Sequence, residues 1–141
     1  TVRQVCTDQP YRARSGRFTD REGSFPDYLE FVLGEAARHD WSVRQACEAW
    51  SSGAYLLETV PSVLWILACH AHDPEEAIVR AVNDTDDNDT VATIVGAAVG
   101  ALHGKDALPV AWQHGLLGRT TADDNGRVFR LIEEAVRRDW L

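Results

Sequence analysis

From residue 24 onward, apolar side chains recur every three or four positions, the spacing that gives a helix one face for a core. Ser24 and Pro26 make a helix start, followed by Tyr28, Phe31, Val32 and Glu35 with Leu29 and Leu33 beside them, and the pattern fades near His39. Ser42 stands where it can cap a second helix bearing Val43, Ala46, Cys47 and Trp50, and Ser51-Ser52-Gly53 stops it. Thr59 and Pro61 open a third helix over 63–70, apolar on most faces and expected to be buried. Asp73-Pro74-Glu75-Glu76 predicts the next start, with Asp73 as cap, Pro74 at the first helical position and Glu76 at the capping-box position, ahead of Ala77, Ile78, Ala81 and Val82. Val91, Ile94, Val95, Ala98, Val99 and Leu102 predict a helix over 89–103, closed by Gly104. A short helical turn over 109–114 and a last helix over 124–139 complete the series, the latter with Glu133–Arg137 and Glu134–Arg138 at favourable i,i+4 spacing. No segment reads as a strand. The expected class is all-α, a bundle of about six helices. Residues 1–23 hold Pro10, Gly16, Gly23 and five arginines with few paired apolar positions, and read as an irregular arm or linker before a helical domain over 24–141.

Composition narrows the function classes. With 141 residues, 45% apolar and 26% charged, the chain can bury one core and is not a disordered segment. Acidic residues outnumber basic ones 22 to 14, and the net charge of −8 argues against non-specific nucleic-acid binding, which needs a basic surface. The three cysteines, Cys6, Cys47 and Cys69, are widely spaced and odd in number, so neither a disulfide framework nor a zinc knuckle is expected, and a reducing cytoplasm fits. The longest apolar stretch, over 60–71, is interrupted by Pro61 and Ser62 and is shorter than the roughly 20 residues a membrane span needs. No signal peptide is evident at the start. The chain contains no methionine and begins with Thr1, which raises trimming, cleavage or a split gene.

The candidate chemistry sits in Asn83-Asp84-Thr85-Asp86-Asp87-Asn88-Asp89-Thr90, where four aspartates fall within six residues directly before an apolar helix. One reading is a solvated turn in which one Asp caps the helix and others complement its dipole. One or two acids serve that purpose, whereas four repel one another unless a cation neutralises them. Oxygen ligands at this density suit magnesium, calcium or manganese rather than zinc. An EF-hand is excluded: counted from Asp84, the position that must be Gly is Asp89, and the one that must be Glu is Val95. Asp87 and Asp89 alternate along a still-extended chain, and Thr90 can add its hydroxyl from the first helical turn.

Asp87-Asn88-Asp89-Thr90 and the small-residue helix after it, Val91-Ala92-Thr93-Ile94-Val95-Gly96-Ala97, resemble the carboxy-terminal metal motif of the ADP-ribosylglycohydrolase family (dinitrogenase-reductase-activating glycohydrolase-like). Ser52-Gly53-Ala54-Tyr55-Leu56-Leu57-Glu58-Thr59-Val60-Pro61 resembles the family's loop before a buried helix, and Ala98-Val99-Gly100-Ala101-Leu102-His103-Gly104 agrees in order and spacing, so the resemblance covers about residues 45–118. It implies the carboxy-terminal part of an all-helical fold. It also implies a site for two magnesium or manganese ions, and metal-assisted hydrolysis of the glycosidic bond joining ADP-ribose to a protein side chain or another acceptor. By position it implies Asp87, Asp89 and Thr90 as metal ligands, and Gly53 and Tyr55 in the loop lining the ADP-ribose pocket. The family's amino-terminal Thr-Asp-Asp-type ligand motif, an acidic residue near the start and a Gly-rich phosphate loop have no counterpart before residue 45. Asp84, Thr85 and Asp86 lie beside the other ligands, in the wrong place for that role. The site is therefore expected to be completed by a companion chain or an upstream half of the same protein, with the general acid or base outside this chain. The alternative is a family member that binds ADP-ribose or a partner without turnover.

Other residues invite chemistry and have plainer uses. Tyr55 serves equally as an adenine platform or as a core or surface tyrosine. Gly96 and Gly100 form a Gly-x-x-x-Gly expected to let another backbone come close. Cys69-His70-Ala71-His72 suggests zinc, but i and i+2 do not share a helical face and no second ligand pair is spaced for it. His103 and His114 have no paired nucleophile, and no Gly-x-Ser-x-Gly elbow occurs. Glu58, an acid in an apolar setting, is expected to cap the Pro61 helix.

Overall fold

The computed structural model describes residues 10–116 and 127–138. It divides into two compact units, Thr1–Gly104 and Lys105–Leu141. In the first, β1 (Tyr11–Arg12) and β2 (Glu22–Gly23) pair antiparallel, Tyr11 opposite Gly23 and Arg12 opposite Glu22. Five helices follow: α1 (Phe25–Arg38), α2 (Val43–Trp50), α3 (Leu56–His70), α4 (Pro74–Asn83) and α5 (Asn88–His103). The second unit holds a 3₁₀ turn (Lys105–Ala107), α6 (Val110–Leu116) and α7 (Arg127–Arg137). The architecture is an all-α bundle with one very small sheet. Among the described residues, no helix is long and apolar enough to cross a membrane.

Helix starts follow local chemistry closely. Ser24 accepts the Asp27 N–H at 3.3 Å, and Ser42 forms a capping box with Gln45, whose side chain accepts the Ser42 N–H at 2.9 Å. Asp73 accepts the Glu76 N–H at 3.1 Å. Glu76 does not close the expected box. The Asp73 N–H is already taken by the His70 carbonyl at 2.9 Å, and the Glu76 carboxylate turns to Arg80 Nε at 2.9 Å, one helical turn on.

α3 is the central helix, packing against α1, α2, α4 and α5. It begins at Leu56 rather than at 63, because the Tyr55 carbonyl accepts the N–H groups of Glu58 and Thr59 at 2.7 and 2.8 Å. Pro61 then lies inside the helix, and what it removes is the bond to the Leu57 carbonyl one turn back. One side of α3 joins a core around Trp50, Leu57, Val32 and Ala36; the other joins Ile66, Val63, Cys47, Ala81 and the Val91/Val95/Val99 row of α5. Trp50 is fully buried and donates its indole N–H to Ser62 at 3.0 Å, whose hydroxyl donates to the Glu58 carbonyl at 2.6 Å.

Three expectations change. α3 is not buried all round, since Leu64 is exposed, and of the six apolar α5 positions Ile94 and Leu102 face outward. The Gly-x-x-x-Gly pair meets no backbone. A Cβ on Gly96 would only touch the Ile78 side chain at 3.9 Å, and one on Gly100 would meet nothing within 4 Å. Residues 10–23 also do more than lie on the surface. Ala13 is buried in the α1–α3 core, and the Arg17 N–H donates to the Ala49 carbonyl at 2.7 Å. In the second unit, Arg138 pairs with Glu134 at 2.5 Å as spaced, while Arg137 Nε reaches the Glu133 main-chain carbonyl at 3.4 Å. Residues 124–126 and 139 of the expected last helix, and the side chain of His114, lie outside the described residues.

Candidate functional site

The four loop aspartates divide into two pairs with different fates. Asp84 ends α4 and is held by Arg80, Nη1 to Oδ2 at 3.1 Å. Asp86 is tied to Ser52: its N–H donates to Ser52 Oγ at 2.8 Å, and that hydroxyl donates to Asp86 Oδ2 at 3.3 Å. The Asp87 N–H donates to the Ser52 carbonyl at 3.0 Å. Thr85 is fixed through its hydroxyl to the Ala81 carbonyl at 2.6 Å.

Asp87 is the N-cap of α5, yet its carboxylate makes no capping bond. Aspartate is among the best residues for that bond, so withholding it is informative. Among the described residues, Asp87 Oδ2 is instead buried with no hydrogen-bond partner. A buried carboxylate oxygen left this way is costly unless a water, a proton or a cation satisfies it. Asp89 lies in the exposed first turn and accepts the Thr90 N–H at 2.9 Å. That bond first, and a side-chain hydrogen bond with the Asp87 carboxyl second, lower its pKa below the ordinary aspartate value. Two carboxyls this close favour a proton or a cation between them. Thr90 is exposed on the same turn. The structure thus brings Asp87, Asp89 and Thr90 to one helix start, and the orphaned oxygen with its acidic neighbour fits a hard cation. Among the described residues no group of three or more His, Cys, Asp or Glu side chains is gathered for a metal.

The Gly53–Tyr55 loop adjoins this turn through Ser52. Gly53 lies close to Glu58: a Cβ there would be 2.6 Å from Glu58 Oε2, so that carboxylate would have to shift. Its carbonyl accepts the Thr59 hydroxyl at 2.9 Å. Tyr55 is the N-cap of α3 and makes no side-chain capping bond; its hydroxyl donates to the Arg12 carbonyl at 3.3 Å, and the Arg14 guanidinium lies 4.1 Å from its ring centroid. The stacking partner of Tyr55 is thus an arginine of the amino-terminal segment, a cation–π contact.

Glu58 does not cap α3 as expected. It is 6% exposed, and its carboxylate accepts a short hydrogen bond from Ser15 while lying against Gly53. Nearby, the Tyr28 hydroxyl is buried without a partner. Burial first, then the charges of Glu58 and Tyr55, push its pKa up to about 12. Ser15 and Arg14 carried no signal in the sequence, Tyr28 read only as part of a helical pattern, and Ser52 read as part of a helix stop and of the loop before the buried helix. Cys69 and His70 join no metal-binding group, and His103 Nε2 is 2.6 Å from the Ala71 carbonyl.

A family model described as ADP-ribosylglycohydrolase matches residues 4–139. ADP-ribosylhydrolase ARH3 of Homo sapiens is 30% identical over 82 residues, 51% of this chain and 23% of that protein. ADP-ribosylhydrolase ARH3 of Xenopus tropicalis is 24% identical over 135 residues, 89% of this chain and 39% of the relative. ADP-ribosylarginine hydrolase Tri1 of Pseudomonas putida (strain GB-1) is 34% identical over 61 residues, 43% of this chain and 16% of that protein. The chain therefore spans well under half the length of these relatives. No solved structure matches.

Proposed function

Because this chain belongs to the ADP-ribosylglycohydrolase family, we propose that it takes part in hydrolysis of the glycosidic bond of ADP-ribosylated protein or another ADP-ribose conjugate, supplying the carboxy-terminal metal ligands. The observation that carries this reading is the Asp87 carboxylate, placed at a helix cap, withheld from capping and left with a buried, unpartnered oxygen. Asp87, Asp89 and Thr90 would hold magnesium or manganese. A bound ion of that kind supplies a Lewis acid that orients ribose hydroxyls, stabilises developing charge and activates water. Gly53 and Tyr55 would line the ADP-ribose side, with the Arg14 guanidinium over the Tyr55 ring as a positive group able to meet a diphosphate.

Two carboxylates and a hydroxyl are few for a two-ion centre. We therefore assign the remaining ligands, and the general acid or base, to a companion chain or an upstream half of the same protein. The same small donor set favours a second reading, an ADP-ribose-binding or structural member without turnover. Release of free ADP-ribose from arginine- and serine-modified protein, in magnesium or manganese, separates the two. Turnover with the upstream half present supports the hydrolase; tight ADP-ribose binding with no release under any pairing supports the second reading.

A further inference from the structure

We propose that Ser52 is a positioning residue for the candidate cation loop, a clamp from the α2–α3 connection that holds Asp87 and Asp89 in ligating geometry. This rests on the reading of those two aspartates as cation ligands. Ser52 is 2% exposed and thirty-four positions from Asp86 in sequence, yet it makes three hydrogen bonds to the loop. Its hydroxyl accepts the Asp86 N–H at 2.8 Å and donates to Asp86 Oδ2 at 3.3 Å, and its carbonyl accepts the Asp87 N–H at 3.0 Å. The hydroxyl thus spends both its roles on one residue, the aspartate preceding the first ligand.

The clamp is itself rigid. Ser52 follows Ser51, whose φ of 67° turns the chain sharply out of α2. It precedes Gly53, fixed through its carbonyl by Thr59 and packed against Glu58, which Ser15 holds in turn. The loop needs such a hold. With Asp84 paired to Arg80, the charges left without a cationic partner in the loop are those of Asp86, Asp87 and Asp89, and Ser52 ties down the first of them. Repulsion between like charges would spread an unclamped loop. Outer partners that orient ligands are typically worth about 10–100-fold in metal affinity.

The test uses Mn2+ binding to the full 141-residue chain, read from the electron paramagnetic resonance signal of free Mn2+, with thermal unfolding alongside. Ser52→Thr and Ser52→Val have nearly the same shape and crowd the site equally; only Thr keeps the hydroxyl. Val is expected to bind Mn2+ about 10–100-fold more weakly than wild type, with Thr recovering most of the affinity. Ser62→Ala, which removes the Trp50 hydrogen bond away from the loop, is expected to lower the melting temperature and leave Mn2+ affinity unchanged. In the metal-free protein, the Asp86 amide should exchange hydrogen faster in the Val variant than in the Thr variant. Equal Mn2+ affinity or equal Asp86 exchange in the Thr and Val variants would overturn the role of Ser52. If Asp87→Asn abolished binding in the same series, the cation reading would survive that result. Wild-type and Asp87→Asn chains with the same Mn2+ affinity would remove the cation reading and this proposal together.

Discussion

Asp87 and Asp89 show how one residue type takes different roles over a few positions. Asp84 finds Arg80 and Asp86 finds Ser52, whereas Asp87 Oδ2 finds nothing. The expected consequence is that Asp89→Asn weakens Mg2+ or Mn2+ binding well beyond Asp123→Asn, an acid outside the loop. Calorimetry giving the two variants equal affinity would count against the ligand assignment. Tyr55 makes a second case. Removing its ring should weaken ADP-ribose binding by about 1–3 kcal/mol, the scale of a lost stacking platform. A Tyr55→Ala chain with a much lower melting temperature but unchanged ADP-ribose affinity would make the Arg14 contact its whole purpose. Tyr28 predicts a pH response. Its folded pKa of about 12 lies above the ordinary tyrosine value near 10. The folded state therefore holds the phenolic proton that the unfolded chain gives up first. The stability this contributes is complete below pH 10 and is lost as pH rises towards 12. Tyr28→Phe should flatten that alkaline loss, as followed by denaturant unfolding at pH 9 to 11.5.

At the scale of elements, the amino-terminal segment is joined to the bundle where no side-chain pattern announces it. Gly16 has φ +78°, and a Cβ there would lie 2.6 to 2.8 Å from backbone atoms of Ala49 and Trp50. Helix backbone cannot yield as a flexible side chain can. Gly16→Ala should thus destabilise the protein by about 1–3 kcal/mol, the usual scale of overpacking with an added backbone penalty. An unchanged denaturant midpoint would show that this contact is dispensable. The same segment brings Ser15 to Glu58 and Arg14 to Tyr55, so its displacement should disturb the loop that carries Ser52. Helix α5 presents a related point. Its buried row is Val91, Val95 and Val99, one residue per turn, and the outward Ile94 shows that 3-4 spacing overstates how much of a helix the core covers.

Across the whole molecule, both core clusters and every candidate-site residue lie in the Thr1–Gly104 unit. The family match runs through both units, over residues 4–139, while the chain covers a minority of each relative's length. The expected outcome follows from the donor count. On the proposed reading, the chain alone should bind metal weakly and release no ADP-ribose from modified protein, and supplying the remaining ligands from a companion chain or an upstream half should restore turnover. Robust release by the lone chain, measured by chromatography of free ADP-ribose, would place the missing roles on Glu58, Asp84 or Asp86.

Much of this protein was legible in one dimension because its determinants are local. Helix starts at Ser24, Ser42 and Asp73, the end at Gly104, and the all-α class depend on bonds within a few residues and on a repeat of 3.6. The Asp-x-Asp-Thr turn and its likeness to the family are local in the same sense. Only the tertiary structure decided which aspartates were spent and which were left over. Arg80 could be guessed from i,i+4 spacing, but Ser52 meets Asp86 across α3 and α4, where spacing carries no information. The same holds for Ser15 on Glu58 and for the two-residue strands, which are too short to show alternation. Pro61 misled about where α3 begins, because hydrogen bonds donated to the Tyr55 and Gly53 carbonyls outweigh the one bond that proline removes.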